Sequence, residues 1–132
     1  AENCQVLLGD SMGEMAAYFR ACDVAFIGGS LLPFGGQNLI EACAAGVPVL
    51  LGPHTYNFSQ VSTQALQDGA ARRVEDASEL WQQALRLSQD SVQRQQMGQA
   101  GIRFCAAHQG ASGRLMALIA RHLPLSCSQA ER

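Results

Sequence analysis

The sequence predicts an α/β fold: a three-layer parallel sheet with helices on both faces. Short apolar runs alternate with amphipathic stretches along most of the 132 residues, the signature of βαβ units. The apolar runs are continuous rather than alternating, as in strands covered on both faces. Unusual loop residues follow directly after these runs, at the carboxyl ends of strands where parallel sheets hold ligands.

Taken in order, "QVLLG" (5–9) reads as a strand. "SMGEMAAYFRAC" (11–22) reads as a helix with Ser11 as N-cap and Glu14 at the third helical position, a capping box. "VAFIGG" (24–29) is a second strand, and "QNLIEACAAG" (37–46) a short helix closed by Gly46 in the left-handed region. "VPVLLGP" (47–53) is a third strand, followed by a helix from Ser59 to a stop at Gly69. "AARRV" (70–74) is a short strand. Two helices follow, "DASELWQQALRLSQD" and "SVQRQQMGQAGIRFCAAHQ", and a last helical segment lies around "SGRLMALIARHL". Leu80, Trp81, Ala84, Leu85 and Leu87 form a stripe expected in the core. The polar tail from Pro124 is expected to fray.

Composition narrows the function. The length suits one domain with a single core. Apolar residues make up 48%, too many for a disordered chain. A net charge of −2 argues against broad binding to a phosphate backbone. The five cysteines (Cys4, Cys22, Cys43, Cys105, Cys127) are odd in number and contain no CxxC, so a disulfide framework or zinc site fits poorly. Cys22 and Cys43 sit among small apolar residues on expected core faces. No apolar run approaches transmembrane length.

Four loops are selected by the carboxyl-end rule: Gly9–Gly13, Gly28–Gln37, Gly52–Ser59 and the turn after Val74. The second is the richest. It holds Gly28, Gly29 and Ser30, then Pro33, Gly35, Gly36, Gln37 and Asn38. Glycine N–H groups feeding a helix start suit an anion, although the same glycines also suit a loop that needs positive φ. The spacing is neither the dinucleotide GxGxxG nor a Walker A loop. Asn38 and Glu41 share a helix face, and Glu41 is placed either to favour the helix dipole or to accept two ribose hydroxyls. In the first loop, Gly13 interrupts a helical pattern at about 1 kcal/mol relative to Ala, so close approach of a ligand or backbone is an open reading. In the third, His54, Thr55, Tyr56 and Asn57 cluster at the same end of the sheet. No Ser–His–Asp arrangement, metal-ligand cluster or acid–base carboxylate pair is visible, so the chain reads as half a site.

The run "GGSLLPFGGQNLIEACAAGVPVLLGPHTYNF" (28–58) closely resembles the 3-deoxy-D-manno-octulosonic acid (Kdo) transferases of lipopolysaccharide synthesis, which carry a similar GGS…GGHN..E……PV..GPH..NF run. Upstream, "GDSMGEMAAYFRACDVAFIGGS" resembles that family's GD[ST]MGE helix and DVAF strand. The resemblance is strong from Val6 to Phe58 and looser beyond. It implies the C-terminal half of a two-domain GT-B glycosyltransferase: a Rossmann-like domain over residues 1–123 that lacks its first βα units, with residues 124–132 as tail.

By position, the resemblance assigns Gly29, Ser30, Gly35, Gly36, Gln37, Asn38 and Glu41 to the donor loop, with Met12, Gly13 and Glu14 flanking it. Glu41 would take the ribose diol, while the N–H groups and hydroxyl around Ser30 would meet the phosphate. His54 and Asn57 are further cleft candidates. Gln37 stands where many members have His and cannot titrate. Leu39 and Ala42 replace prolines common there.

The implied donor is CMP-Kdo, and the implied acceptor is a lipid A precursor (lipid IVA) held by the absent N-terminal domain. No metal or other cofactor is implied, and no catalytic residue lies in this chain. The general base belongs to the missing half, so the isolated chain is expected to be inactive and soluble. The parent would act at the cytoplasmic face of the bacterial inner membrane. Two alternatives stay open: a GT-B donor domain for a UDP-sugar, and a non-enzymatic Rossmann-like binding module.

Overall fold

The computed structural model describes residues 5–108 and 116–121. Three short strands form a parallel sheet in the order β1 (Ala25–Phe26), β2 (Val49–Leu51), β3 (Ala71–Arg73). Ala25 pairs with Val49, and Val49 with Ala71. The central strand is wholly buried: Val49, Leu50 and Leu51 have no exposed surface. Burying each such side chain stabilises the fold by about 1.5–3 kcal/mol, which explains the unbroken apolar run.

Alternation along β2 separates two cores. Val49 and Leu51 face one cluster with Phe19, Leu39, Ala42, Cys43, Ala65 and Phe104. Leu50 faces the other with Val74, Leu87 and Met97. The helices α1 (Met15–Ala21), α2 (Ile40–Ala44) and α3 (Ser59–Gln67) cover the first face, and α4 (Ala77–Gln89) covers the second. The long α5 (Ser91–His108) serves both, through Met97 on one side and Ala100, Phe104 and Cys105 on the other. The parallel sheet with helices on both sides is therefore present.

Two crossover helices end as the glycines foretold. After α2, Gly46 has φ +74°, its N–H donates to the Cys43 carbonyl, and the Val47 N–H donates to the Ala42 carbonyl. After α3, Gly69 repeats this double bond with Leu66, and Ala70 with Ala65. Both are Schellman motifs, satisfying carbonyls that the helix leaves over. Where α5 crosses the end of α2, small residues let the backbones touch. A Cβ on Gly98 would run into the Gly46 carbonyl oxygen, and one on Gly101 would lie 2.9 Å from that of Cys43.

Several expectations are corrected. Residues 5–10 form no strand and belong to no part of the three-stranded sheet. Val6, Leu7 and Leu8 stand more than 80% exposed, because an apolar run becomes a strand only beside a strand that pairs with it. The helix expected from residue 11 starts at Met15, since Gly13 turns the chain at φ +84°. Glu14 occupies the N-cap and makes no side-chain cap bond, so the capping box is absent.

In α4 the buried stripe is Leu80, Ala84 and Leu87, at i, i+4 and i+7. Trp81 and Leu85 lie one residue further round the helix and are 70% and 47% exposed. Cys22 is exposed, because it follows α1 in an extended conformation rather than continuing its buried face. Cys43 is buried as expected and Cys105 is buried too; burial pushes the Cys43 thiol up to about 12, with Cys105 nearby adding to the shift. Of the last expected helix, residues 116–121 are helical. Cys4, His122, Cys127 and the tail from Pro124 lie outside the described residues.

Candidate functional site

The loops after β1 and β2 leave the same end of the sheet, and hydrogen bonds join them into one wall. Ser30 is the knot. Its hydroxyl donates to the Ile27 carbonyl at 2.5 Å and accepts from the Gly52 N–H at 2.9 Å, in full burial. Its carbonyl accepts from the His54 N–H at 2.9 Å. The Ser30 hydroxyl is thus committed to the scaffold, and what this loop offers a ligand comes from the groups around it.

Further along, the loop closes on itself and on its neighbour. The Gly36 N–H donates to the Gly29 carbonyl at 3.0 Å, pinching residues 29–36 into a ring. Tyr56 Oη donates to the Pro33 carbonyl at 2.6 Å. Asn57 Nδ2 donates to the Phe34 carbonyl at 3.1 Å, while the Asn57 N–H donates to that of Gly35 at 3.2 Å. These donors sit on a single 3₁₀ turn, Tyr56–Phe58.

The glycines serve this joint. Gly29, Gly35 and Gly36 all have positive φ, where side chains strain the backbone. A Cβ on Gly35 would collide with the Asn57 amide and come 2.6 Å from the Tyr56 ring. One on Gly52 would strike the Ser30 carbonyl. The alternative left open by the sequence is resolved in a specific sense: the close approach these glycines allow is of one loop to the other. Gly28, by contrast, lies in open space with an ordinary φ.

Beyond the ring, Gln37 and Asn38 are exposed. Asn38 Oδ1 accepts from the Ile40 N–H at 3.0 Å and so fastens the entry to α2. Glu41 lies in the first turn of α2 and is exposed, lining a shallow groove of about 300 Å³ with Ala16, Arg20, Ala44 and Ala45. Arg20 was not a sequence candidate. It comes from the last turn of α1, and only the packing of α1 on α2 brings it beside Glu41.

The first loop is built differently. Met12 is 98% exposed, and Gly13 has no neighbour within 4 Å of where a Cβ would be. Gly13 thus answers a need for positive φ, with nothing packed against it. The Glu14 carboxylate accepts from the Ser11 hydroxyl and, at 3.2 Å, from the Tyr18 hydroxyl. The Ser11 bond first and the Tyr18 bond second hold its pKa below the ordinary value. His54 is half-buried and contributes its backbone to the Ser30 joint. Tyr56 was seen in the sequence only as one of a cluster. Its bond to Pro33 spans 23 residues, and no local pattern announces such a bond.

Comparisons with known proteins agree with this architecture. A profile of the family "Glycosyl transferases group 1" matches residues 1–104. A 3-deoxy-D-manno-octulosonic acid transferase of Bordetella pertussis is 50% identical over 111 residues, covering 84% of this chain and 26% of that protein. Its counterpart in Haemophilus influenzae is 35% identical over 123 residues, covering 92% of this chain and 29% of that protein. The chain therefore spans little more than a quarter of the length of these curated relatives. Among solved structures, the C-terminal CMP-Kdo binding domain of WaaA from Acinetobacter baumannii is similar at a TM-score of 0.69 and 28% identity. That similarity covers 73% of this chain and 50% of that one. The likeness to Kdo transferases read from the motifs thus extends over most of the chain, and the matched profile spans well over half of it: the chain belongs to the group 1 glycosyl transferases.

Proposed function

We propose that this chain is the donor-binding part of a Kdo transferase and holds CMP-Kdo while a lipid A precursor is glycosylated. The observation that carries the reading is the joined wall of residues 28–36 and 52–58, which runs on through Gln37 and Asn38 into α2 with Glu41 in its first turn, in a chain similar to a CMP-Kdo binding domain. On this reading the Glu41 carboxylate accepts both ribose hydroxyls, and the exposed turn from Gln37 to Asn38 faces the phosphate and the sugar carboxylate. Met12 borders the pocket, with Gly13 and Glu14 setting the entry to α1.

The transfer needs no redox partner. An acceptor hydroxyl oxygen forms a bond to the anomeric carbon, the bond from that carbon to the CMP phosphate oxygen breaks, and CMP leaves with the electron pair. The acceptor proton passes to a base outside this chain. The domain's share is to bind and orient the nucleotide and to stabilise the charge growing on its phosphate. The lipid acceptor would be met at the cytoplasmic face of the inner membrane by the parent protein. Among the described residues, no helix is long and apolar enough to cross a membrane.

Calorimetric titration of the chain with CMP, UMP and CDP tests this. CMP is expected to bind in preference to UMP, with EDTA making no difference. Glu41→Ala should weaken CMP by about tenfold to a hundredfold, the worth of hydrogen bonds to a charged group. Preference for UMP would move the reading to a UDP-sugar donor, and absence of any nucleotide binding would overturn it. The chain alone should not turn over CMP-Kdo and lipid IVA, and measurable transfer would show that the base lies here after all.

A further inference from the structure

We propose that Tyr56 and Asn57 are positioning residues that set the shape of the 28–36 loop and, through it, the affinity for the phosphate of the bound nucleotide. The proposal rests on the donor-binding reading and adds to it the side chains that shape the loop. Three carbonyls in succession, those of Pro33, Phe34 and Gly35, are each held by a donor from one 3₁₀ turn. Two of these donors are side chains, Tyr56 Oη and Asn57 Nδ2, and both lie on the exposed surface.

The fit is reciprocal. Gly35 has no Cβ in the space that the Asn57 amide and the Tyr56 ring occupy, and its φ of +88° aims its carbonyl at the Asn57 N–H. Next to it, Gly36 bonds back to Gly29 and closes the ring. Releasing the Pro33 and Phe34 carbonyls therefore frees the segment between Ser30 and Gly35, whereas the buried Ser30 joint stays closed. The loop changes shape and the core does not.

This separation makes the idea testable. Tyr56→Phe removes one hydroxyl and Asn57→Ala one amide, and neither group is buried. Amide hydrogen exchange is followed over residues 28–38, with residues 49–51 of β2 as the internal control for global stability. CMP and cytidine affinities are measured on the same proteins. Exchange over 28–38 is expected to speed up in each variant, with β2 unchanged. In the double variant CMP should weaken about tenfold while cytidine holds its affinity, since cytidine lacks the phosphate. A side chain that only supported the fold would weaken both ligands alike and loosen β2 as well.

Unchanged loop exchange, or equal loss for CMP and cytidine, overturns the proposal. If the double variant fails to fold, Tyr56→Phe alone decides, because it leaves the ring and every buried group in place. If the unaltered chain binds no CMP, the donor-binding reading has failed, and loop exchange by itself still accepts or rejects the latch.

Discussion

The two loops after β1 and β2 and the segment before α1 were all expected to wall the same site, yet they are built in opposite ways. The loops are tied by hydrogen bonds over 22 and 23 residues of separation and centre on a serine with no exposed surface. The segment from 5 to 14 stands open to solvent, and its knot of Ser11, Glu14 and Tyr18 side chains is local and exposed. Both regions are rich in glycine. In the loops glycine makes room for backbone and side chains of the neighbouring loop, whereas at Gly13 it serves only the turn. The same residue type therefore marks a packed wall in one region and an open turn in the other.

The sharpest test of that contrast is Gly52→Ala. Its methyl group would strike the Ser30 carbonyl, which already accepts from the His54 N–H, and no flexible side chain is there to yield. Two backbones must separate and the Ser30–Gly52 bond must stretch. The cost should reach the upper end of the range for overpacking, about 3 kcal/mol. Urea denaturation with a single cooperative transition measures it; a loss under about 1 kcal/mol would mean that the wall is far softer than its hydrogen bonds indicate.

Gly13→Ala should do much less. The position has φ +84° but open space around it, so only backbone strain opposes the substitution, about 1–2 kcal/mol if the turn is held and less if it relaxes. The expected signature is faster amide exchange at the start of α1 with a shift of the urea midpoint clearly smaller than that of Gly52→Ala. A destabilisation equal to that of Gly52→Ala would erase the distinction between the two regions.

The sequence disclosed most where its signals are local. The helix stops at Gly46 and Gly69 follow from a residue that tolerates positive φ after an amphipathic run, and the buried strand β2 follows from its unbroken apolar pattern. Three things stayed hidden because they depend on neighbours distant in sequence. "QVLLG" has the pattern of a strand but lies outside the three-stranded sheet. Trp81 and Leu85 have the pattern of core, but α4 packs on Leu50, Val74 and Met97 through Leu80, Ala84 and Leu87 instead. The glycines of 28–36 were legible as special, but their partner proved to be the 52–58 loop, whose contacts depend on β1 and β2 lying side by side.

The smallest expected effect belongs to Glu14, and it probes whether the open segment keeps its own structure. Its carboxylate accepts from Ser11 and Tyr18, and both bonds favour the charged form, so the folded pKa lies below that of the unfolded chain. A depressed carboxylate pKa adds stability that is fully present above the unfolded value and disappears as pH falls through the folded one. The group is fully exposed, so the contribution to global stability should be hard to resolve, and the site titration is the better measure. Carbon-detected NMR of the Glu14 side chain should give a midpoint below the ordinary glutamate value. Ser11→Ala should raise the Glu14 midpoint more than Tyr18→Phe does, in the order of the two bonds. A Glu14 midpoint unmoved by either change would mean that the knot does not persist in solution, and that the entry to α1 is ordered by Gly13 and the helix alone.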